Sequence, residues 1–298
     1  MGLHWGHTDA LSLGVLMDPV DASPFWTNRS LFADHFLRER LADLPEWRRP
    51  EGIESAFAAV HALYARVTPR FTDRTNESQT EDELVRPILR LLWSERDPDD
   101  CTKVQPSLPN VDGRRQPDYA FFAHAADRAA AEPALGTLEF WRGVACLGDA
   151  KRWAASLDKA RAADDNPSAQ IATYLYRSRV RWGILTNGRV WRLYEQDKAR
   201  TGGTYFEVDL RAILDSGDAD AFRWFYLFFG RWAVLPGPDG TCFLDRVLQG
   251  SIDYAAEVGD RLKESVYDAL RLLMVGFIER PGNGLKARDA ADLAVACH

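Results

Sequence analysis

The sequence is poor in cysteine and has no long hydrophobic run. Its four cysteines are scattered over 298 residues with no C-x-x-C spacing, which excludes a zinc ribbon and a disulfide framework. The longest apolar stretch, residues 225 to 235, is interrupted by Gly230 and Arg231 and is far shorter than the roughly 20 residues of a spanning helix. No basic segment leads into an apolar block at the N-terminus, so we expect neither a secretory signal nor a membrane span. The cytoplasm is the predicted location.

The chain also lacks an excess of positive charge. Its formal net charge is −7, which by itself argues against a polyanionic partner. However, residues 140 to 192 hold ten basic residues against four acidic ones. Arginine supplies 31 of the 37 basic residues in the chain, and its planar guanidinium suits bidentate contacts with phosphate. We therefore expect one basic surface, contributed by residues 140 to 192.

What remains is the composition of an ordinary globular protein, 46% hydrophobic and 27% charged. Hydrophobic periodicity predicts helices over residues 31–44, 52–67, 77–93, 125–131, 168–177 and 266–278. Runs of β-forming residues predict strands over 101–105, 118–123, 144–151, 180–186, 189–195 and 205–209, with Asn187-Gly188 as a two-residue hairpin turn. This order predicts an α/β fold, a mixed central β-sheet flanked by helices. We divide the chain into a helical lead-in (1–75), a core (76–210) and a helical extension or connector (211–298).

Two acidic residues and a lysine stand at the ends of predicted strands. Asp118 follows Pro117 at the start of one predicted strand, and Asp149 lies near the end of another. Carboxylate oxygens at such positions can converge on a hard divalent cation. Lys151 follows Asp149 by the strand period of two, so both side chains are predicted on one face. There the lysine could orient water or stabilise charge on a phosphate.

The separate pieces of this pattern are common. Pro-Asp occurs three times in the chain, and about one acid-x-Lys match is expected by chance. Asp118 could belong to a strand-entry turn, and Lys151 could be a solvated charge on an edge strand. The context favours a site, because only Pro117-Asp118 leads into a strand-like segment and the sole acid-x-Lys match ends another.

Residues 76 to 195 resemble the PD-(D/E)XK nuclease superfamily. The resemblance is closer to the N-terminal nuclease domains of type I restriction motor subunits and of combined type II restriction-modification proteins. In that family a Gln-x-x-x-Tyr pattern accompanies the active site, and here it is Gln170 and Tyr174. The stretches that carry the resemblance are NESQTEDELVRPILRLLW, RRQPDYAFF, CLGDAKRW and NPSAQIATYLYRSRVRWGILTNGRVWRLYE.

The resemblance implies a restriction-endonuclease-like core and a Mg²⁺-dependent endonuclease of a restriction-modification or related defence system. Its substrate would be double-stranded DNA, and Mn²⁺ would substitute for Mg²⁺. Asp118 and Asp149 are the implied metal ligands, Lys151 the catalytic lysine, and Gln170 a further catalytic residue. Relatives more often have Glu where this chain has Asp149. They also continue into a methyltransferase and target-recognition region or a motor, so we expect such a partner domain or subunit.

Glu77 is the predicted third metal ligand. Together with Glu81 it extends the helical stripe of Leu84, Ile88 and Leu91 backwards, which predicts that both carboxylates follow the buried face. The start of this helix also fits a capping box, so a structural role for Glu77 stays open.

The predicted DNA contacts share a place in or beside the basic segment: Arg152, Tyr174, Arg177, Arg179, Arg181 and Arg192. Their phosphate contacts would supply affinity without reading the base sequence. Two other hypotheses remain at this stage. One is a catalytically silent DNA-binding or assembly module of the same fold, and the other is a metal-dependent hydrolase of small molecules.

Overall fold

A seven-stranded mixed sheet forms the centre of the fold. The computed structural model describes residues 25–48, 50–109, 111, 116–158, 166–200 and 202–280. The strands are β1 (Trp26–Arg29), β2 (Thr102–Val104), β3 (Tyr119–Phe121), β4 (Cys146–Ala150), β5 (Trp182–Thr186), β6 (Val190–Glu195) and β7 (Tyr205–Asp209). Their order is β1-β7-β6-β5-β4-β3-β2. Strands β4 and β5 pair in parallel, and the other neighbours are antiparallel.

Helices flank this sheet, so the prediction of an α/β fold with a mixed sheet is confirmed. They are α1 (Asp34–Glu39), α2 (Pro45–Arg48), α3 (Ile53–Val67), α4 (Glu77–Thr80), α5 (Arg86–Leu92), α6 (Ala125–Ala131), α7 (Leu138–Arg142), α8 (Pro167–Ser178), α9 (Leu210–Ser216), α10 (Phe222–Phe229) and α11 (Phe243–Glu279). None of the helices in the described ranges has the length and apolar character needed to cross a membrane.

Each face of the sheet carries its own hydrophobic core. Strand β3 shows the alternation, because Tyr119 and Phe121 face one core while Ala120 faces the other. The first core is completed by α3, α5, α10 and the beginning of α11, and the second by α7 and α8. The result is three layers, with the sheet between two layers of helices.

The predicted three-part division does not correspond to separate cores. Strand β1 lies in the predicted lead-in, a region expected to be helical, yet it pairs with β7 at the edge of the sheet. Helices α3, α10 and the start of α11 pack into the same core. Thus the described parts of the lead-in, core and extension form one hydrophobic unit, and the terminal residues 1–24 and 281–298 lie outside the description.

The predicted helix 77–93 contains a wide turn. Between α4 and α5, Glu81–Val85 form a π-helical turn, which changes the angular relation between the residues before and after it. Leu84 and Ile88 are buried as expected. Leu91 is 46% exposed, because the buried side of the helix passes through the neighbouring positions instead. Glu81 is buried, whereas Glu77 lies at an exposed rim. The expectation that both carboxylates follow the buried face is therefore wrong for Glu77.

The hairpin between β5 and β6 was correctly predicted, although its turn is longer than two residues. Strand β5 ends at Thr186 and β6 begins at Val190. The Asn187 side chain accepts hydrogen bonds from the backbone N–H groups of Arg189 and Val190, both at 3.0 Å. Gly188 has φ +82°, a left-handed conformation that glycine adopts without strain. These features close the turn that brings β6 back beside β5.

Candidate active site

Two aspartates meet because β3 and β4 are antiparallel neighbours. Tyr119 at the start of β3 lies opposite Gly148 near the end of β4, so Asp118 and Asp149 come to the same edge of the sheet. One Asp118 carboxylate oxygen accepts the backbone N–H of Ala150 at 2.7 Å. Each of the two carboxyl groups influences the pKa of the other. The predicted convergence of Asp118 and Asp149 is thus present in the structure.

Glycine at position 148 permits the strand packing beneath this edge. A Cβ placed there would lie 2.8 Å from the ring of Phe121, closer than carbon atoms approach each other in protein interiors. Any larger residue at this position would force the ring of Phe121 to shift.

Lys151 completes the cluster. Its Nζ atom lies 2.6 Å from Oδ2 of Asp149, and its backbone N–H donates to the carbonyl oxygen of Thr186 on β5 at 2.8 Å. Asp149 is 2% exposed, so this ion pair is largely withdrawn from water. We call Asp118, Asp149 and Lys151 the Asp-Lys cluster.

Burial dominates the electrostatics of this cluster. It raises the pKa of Asp118 to about 8, with the neighbouring charge of Asp149 acting in the same direction and Lys151 opposing both. Burial likewise raises the pKa of Asp149. For Lys151, burial lowers the pKa, but Asp149, Glu77 and Asp118 outweigh it and raise the pKa overall. At neutral pH the lysine is therefore an ammonium, and the two carboxyl groups keep a proton between them.

Helix α4 contacts the segment of chain that follows β4. The Asn76 side chain caps this helix by accepting the N–H of Gln79 at 2.8 Å, so the predicted helix start is present. The buried hydroxyl of Thr80 accepts the N–H of Trp153 at 2.9 Å. The sequence pattern offered Thr80 only as a possible helix-start residue and did not predict its contact with the chain that follows Lys151.

Glu77 borders the cluster but does not join it. Partial burial at the rim raises the pKa of Glu77, the ammonium of Lys151 lowers it, and the charge of Asp149 raises it again. Across the described ranges, no three or more His, Cys, Asp or Glu side chains gather as a metal-binding group. The predicted three-carboxylate set of Asp118, Asp149 and Glu77 is therefore not assembled.

The two aspartates alone still fit a magnesium ion. Mg²⁺ commonly takes one or two protein carboxylates and keeps several waters. Oδ2 of Asp149 is buried and receives no well-directed hydrogen bond from a described group, although the Lys151 ammonium lies close to it. Asp118 and Asp149 would hold the ion, and its charge would replace the proton that they share.

A second layer of polar side chains lies behind the cluster. The hydroxyl of Tyr119 donates to buried Glu81 at 2.7 Å, and Arg86 pairs with the same carboxylate at 3.0 Å. The charge of Glu81 helps to raise the pKa values of Asp118, Asp149 and Glu77. The sequence pattern put Glu81 on the buried face but gave no sign of its partners.

The predicted Gln-x-x-x-Tyr pair is formed on α8. Gln170 donates from Nε2 to the hydroxyl oxygen of Tyr174 at 2.5 Å. Burial raises the pKa of Tyr174, and the charge of Asp149 is the next cause, which puts this pair beside the Asp-Lys cluster. Tyr174 is 1% exposed. Its prediction as a DNA contact is wrong for this conformation, because a buried ring presents no surface to DNA.

Arg192 is also wrongly predicted as a DNA contact. It is 5% exposed on β6, where its guanidinium pairs with Asp158 at 2.6 Å and with Glu207 at 2.5 Å. Its position over the ring of Tyr205 adds a cation–π contact, with 4.0 Å to the ring centroid. Arg192 therefore connects a loop and two strands inside the protein.

The remaining predicted DNA contacts lie at two different ends of the fold. Arg152 is exposed and directly follows Lys151. Arg177, Arg179 and Arg181, which we call the arginine group, lie around the end of α8 and before β5. Because β4 and β5 are parallel, the arginine group lies at their amino end and the Asp-Lys cluster at their carboxyl end. Arg181 also forms ion pairs with Asp245 and Glu195.

Comparisons with known proteins identify no relative. No protein-family model matches the chain, and neither the curated proteins nor the solved structures give a match.

Proposed function

We propose that this chain is a metal-dependent endonuclease module that hydrolyses phosphodiester bonds in double-stranded DNA. The observation that supports this proposal most is the convergence of Asp118, Asp149 and Lys151 at one edge of the sheet. The sheet and this arrangement fit a restriction-endonuclease-like core, and the resemblance in sequence adds the Gln170 and Tyr174 pair.

Each residue of the cluster has a separate task in this proposal. Mg²⁺, or Mn²⁺ in its place, would polarise the scissile phosphate and acidify a bound water. Asp118 and Asp149 supply oxygen ligands for the ion. Because its pKa is raised, Lys151 acts as an ammonium that stabilises negative charge on the phosphate, and not as a general base.

The neighbouring side chains position these groups. The Gln170 amide, which donates to the Tyr174 hydroxyl, would face the cluster from the first turns of α8. Thr80 fixes the backbone that follows Lys151, and Glu77 adds a negative charge near the Lys151 ammonium. Arg152 is the predicted DNA contact nearest to the chemistry, and it would bind a phosphate on the rim.

In the cell this module would act in the cytoplasm as part of a restriction-modification or related defence system. No base-reading element is part of the proposal, so target choice would come from a methyltransferase and target-recognition domain or subunit. The phosphate contacts would supply affinity without sequence preference.

A silent module of the same fold is the second candidate. The observation that favours it is the absence of a third carboxylate from the pair Asp118 and Asp149 within the described residues. This module would bind DNA with a steep dependence on salt, and the Lys151→Ala variant would bind as well as the wild type.

Conversion of supercoiled plasmid distinguishes the two candidates. Wild type, Lys151→Ala and the matched remote variant Lys263→Ala are compared at low salt in Mg²⁺, Mn²⁺ and EDTA. We expect nicking or linearisation by wild type and Lys263→Ala in either metal, and none by Lys151→Ala or in EDTA. Equal cleavage by wild type and Lys151→Ala would refute the assigned site. DNA binding without cleavage by any variant would favour the silent module.

A further inference from the structure

Helix α11 leaves the body of the protein shortly after Ser251. Up to that point it is packed, with Ser251 buried and Tyr254 against His35 at 5.1 Å between ring centroids. Residues 255 to 277 are exposed or half-buried throughout. At 1.5 Å per residue this segment is about 33 Å long. Most helices in proteins depend on packing of an apolar face, yet none of the residues 255 to 277 is buried.

The projecting segment has an apolar stripe on one side. Six large residues from Ile252 onward fall within a third of the helix circumference, and each is between 42% and 63% exposed: Ile252, Val258, Leu262, Val266, Leu270 and Leu273. Small residues Ala255, Gly259 and Ala269 lie between them on the same side. The charged residues lie outside the stripe, with Lys263 at its border. A stripe of this width normally faces a protein partner.

We propose that α11 pairs antiparallel with α11 of a second copy of this chain, centred between Leu262 and Lys263. In this register Ile252 lies opposite Leu273 of the other copy. Ala255 then lies opposite Leu270, and Gly259 opposite Val266. Ala255 and Gly259 thus each face a large residue, which allows the two helices to approach closely and interdigitate there.

A groove beside the point where α11 leaves the body favours antiparallel pairing of the two helices. Ile252 and Ala255 line a groove of about 400 Å³ whose other wall includes Phe32 and Ala33 of the body. In the antiparallel pair, the far end of the partner helix reaches this groove beyond Leu273. A parallel pair would leave the groove empty and bring both protein bodies to the same end of the helices, on the same side.

The available surface is large enough for a stable dimer. The six stripe residues are between 42% and 63% exposed, so a symmetric pair that covers them buries about 1,000 Å² before the groove is counted, the smallest area expected of a specific interface. The symmetric arrangement uses one patch twice, as two-fold dimers do.

Light scattering after size exclusion tests the association on the full 298-residue chain. We expect a dimer for wild type at tens of micromolar, and for Leu262→Glu a dimer dissociation constant weakened by at least about 100-fold. Leu272→Glu is the matched control, because Leu272 is 73% exposed but lies off the stripe. Its dimer should be unchanged, and circular dichroism should show that all three proteins are folded. A monomeric wild type, or equal effects of the two substitutions, would overturn the proposal.

Cysteine cross-linking tests the direction of pairing. In a Cys297→Ser background, diamide should oxidise Leu262→Cys to a disulfide-linked dimer, because the two copies of position 262 lie beside the centre. Leu273→Cys alone should stay monomeric on denaturing gels, whereas a mixture of Ile252→Cys and Leu273→Cys proteins should cross-link. Efficient cross-linking of Leu273→Cys to itself would overturn the antiparallel register.

Discussion

The two ends of the parallel pair β4 and β5 differ in almost every property. At the carboxyl end, Asp118, Asp149 and Lys151 are mostly buried and interact with one another. At the amino end, the arginine group is exposed, and only about 13 Å of strand separates the ends. Apart from Asp118, the residues at both ends come from the same basic stretch of sequence, 140 to 192. The comparison teaches that charge summed along a segment does not locate a binding surface, because a strand carries its two ends to different places.

Removal of a cluster carboxylate gives the largest expected effect. Asp149→Asn keeps the shape of the side chain but removes one negative charge from the proposed ion site. We expect DNA cleavage to fall by about 10²- to 10⁴-fold, because the ion's charge stabilisation is lost. Plasmid cleavage rates at saturating Mg²⁺ measure this effect. Arg179→Gln, a substitution at the amino end, should change the rate by less than about 3-fold, and a comparable loss there would erase the distinction between the two ends.

Substitution of Arg192 sharpens the distinction between buried and exposed arginines. Arg192→Gln leaves Glu207 and Asp158 without their guanidinium partner. We expect a loss of about 2 to 4 kcal/mol in the free energy of unfolding, somewhat below the cost of breaking a fully buried pair because Asp158 is half exposed. Urea denaturation measures it. Arg177→Gln should cost less than about 0.5 kcal/mol, and equal losses would contradict the buried role of Arg192.

DNA affinity should separate Arg152 from Arg177. Arg152 borders the Asp-Lys cluster, so Arg152→Ala should remove one phosphate contact. The slope of log binding constant against log salt concentration should then decrease in magnitude by about one. Arg177→Ala, at the amino end, should leave the salt dependence close to that of wild type. Fluorescence anisotropy over a range of salt concentrations checks both variants. The reverse order of effects would mean that DNA approaches the amino end.

The stability of the metal-free protein should depend on pH through Asp118. Because the folded-state pKa of Asp118 is about 8 and its ordinary value is 3.8, the folded protein holds a proton that the unfolded chain releases as the pH rises between these values. Stability therefore falls as the pH rises from 5 to 8, and Glu77, whose pKa is also raised, acts in the same direction.

Thermal melts in EDTA and in Mg²⁺ measure this dependence. The midpoint in EDTA should fall by a few degrees from pH 5 to pH 8, and Mg²⁺ should raise it more at pH 8 than at pH 5. Asp118→Asn should flatten the decline. A midpoint in EDTA that rises over this range would contradict the raised pKa of Asp118.

Much of the architecture could be predicted from the sequence, since strong local patterns survive packing. The strand at Tyr205–Asp209 matches the prediction, and α3 and α8 match theirs within about one residue at each end. Strand β1 was missed because four residues, WTNR, carry no clear alternation. The π-helical turn at Glu81–Val85 was missed because hydrophobic spacing assumes a regular helix.

The candidate site was predicted in part. Asp118, Asp149, Lys151 and Gln170 could be proposed from strand ends and motif spacing. The engagement of Arg192 could not, because its partners Asp158 and Glu207 lie 34 and 15 residues away along the chain. The same holds for Glu81, whose donor Tyr119 is 38 residues away. Pairings of this kind depend on tertiary contacts that local patterns do not encode.

The most direct test of the account is the binding of Mn²⁺ to the Asp-Lys cluster in the absence of DNA. Calorimetric titration at pH 7 in two buffers of different ionisation enthalpy measures both the affinity and the protons released. We predict that wild type binds Mn²⁺ with release of a proton, and that Asp118→Asn binds at least about 10-fold more weakly without that release. Equal affinity and equal proton release in the two proteins would contradict a cation site at the carboxyl end of β4.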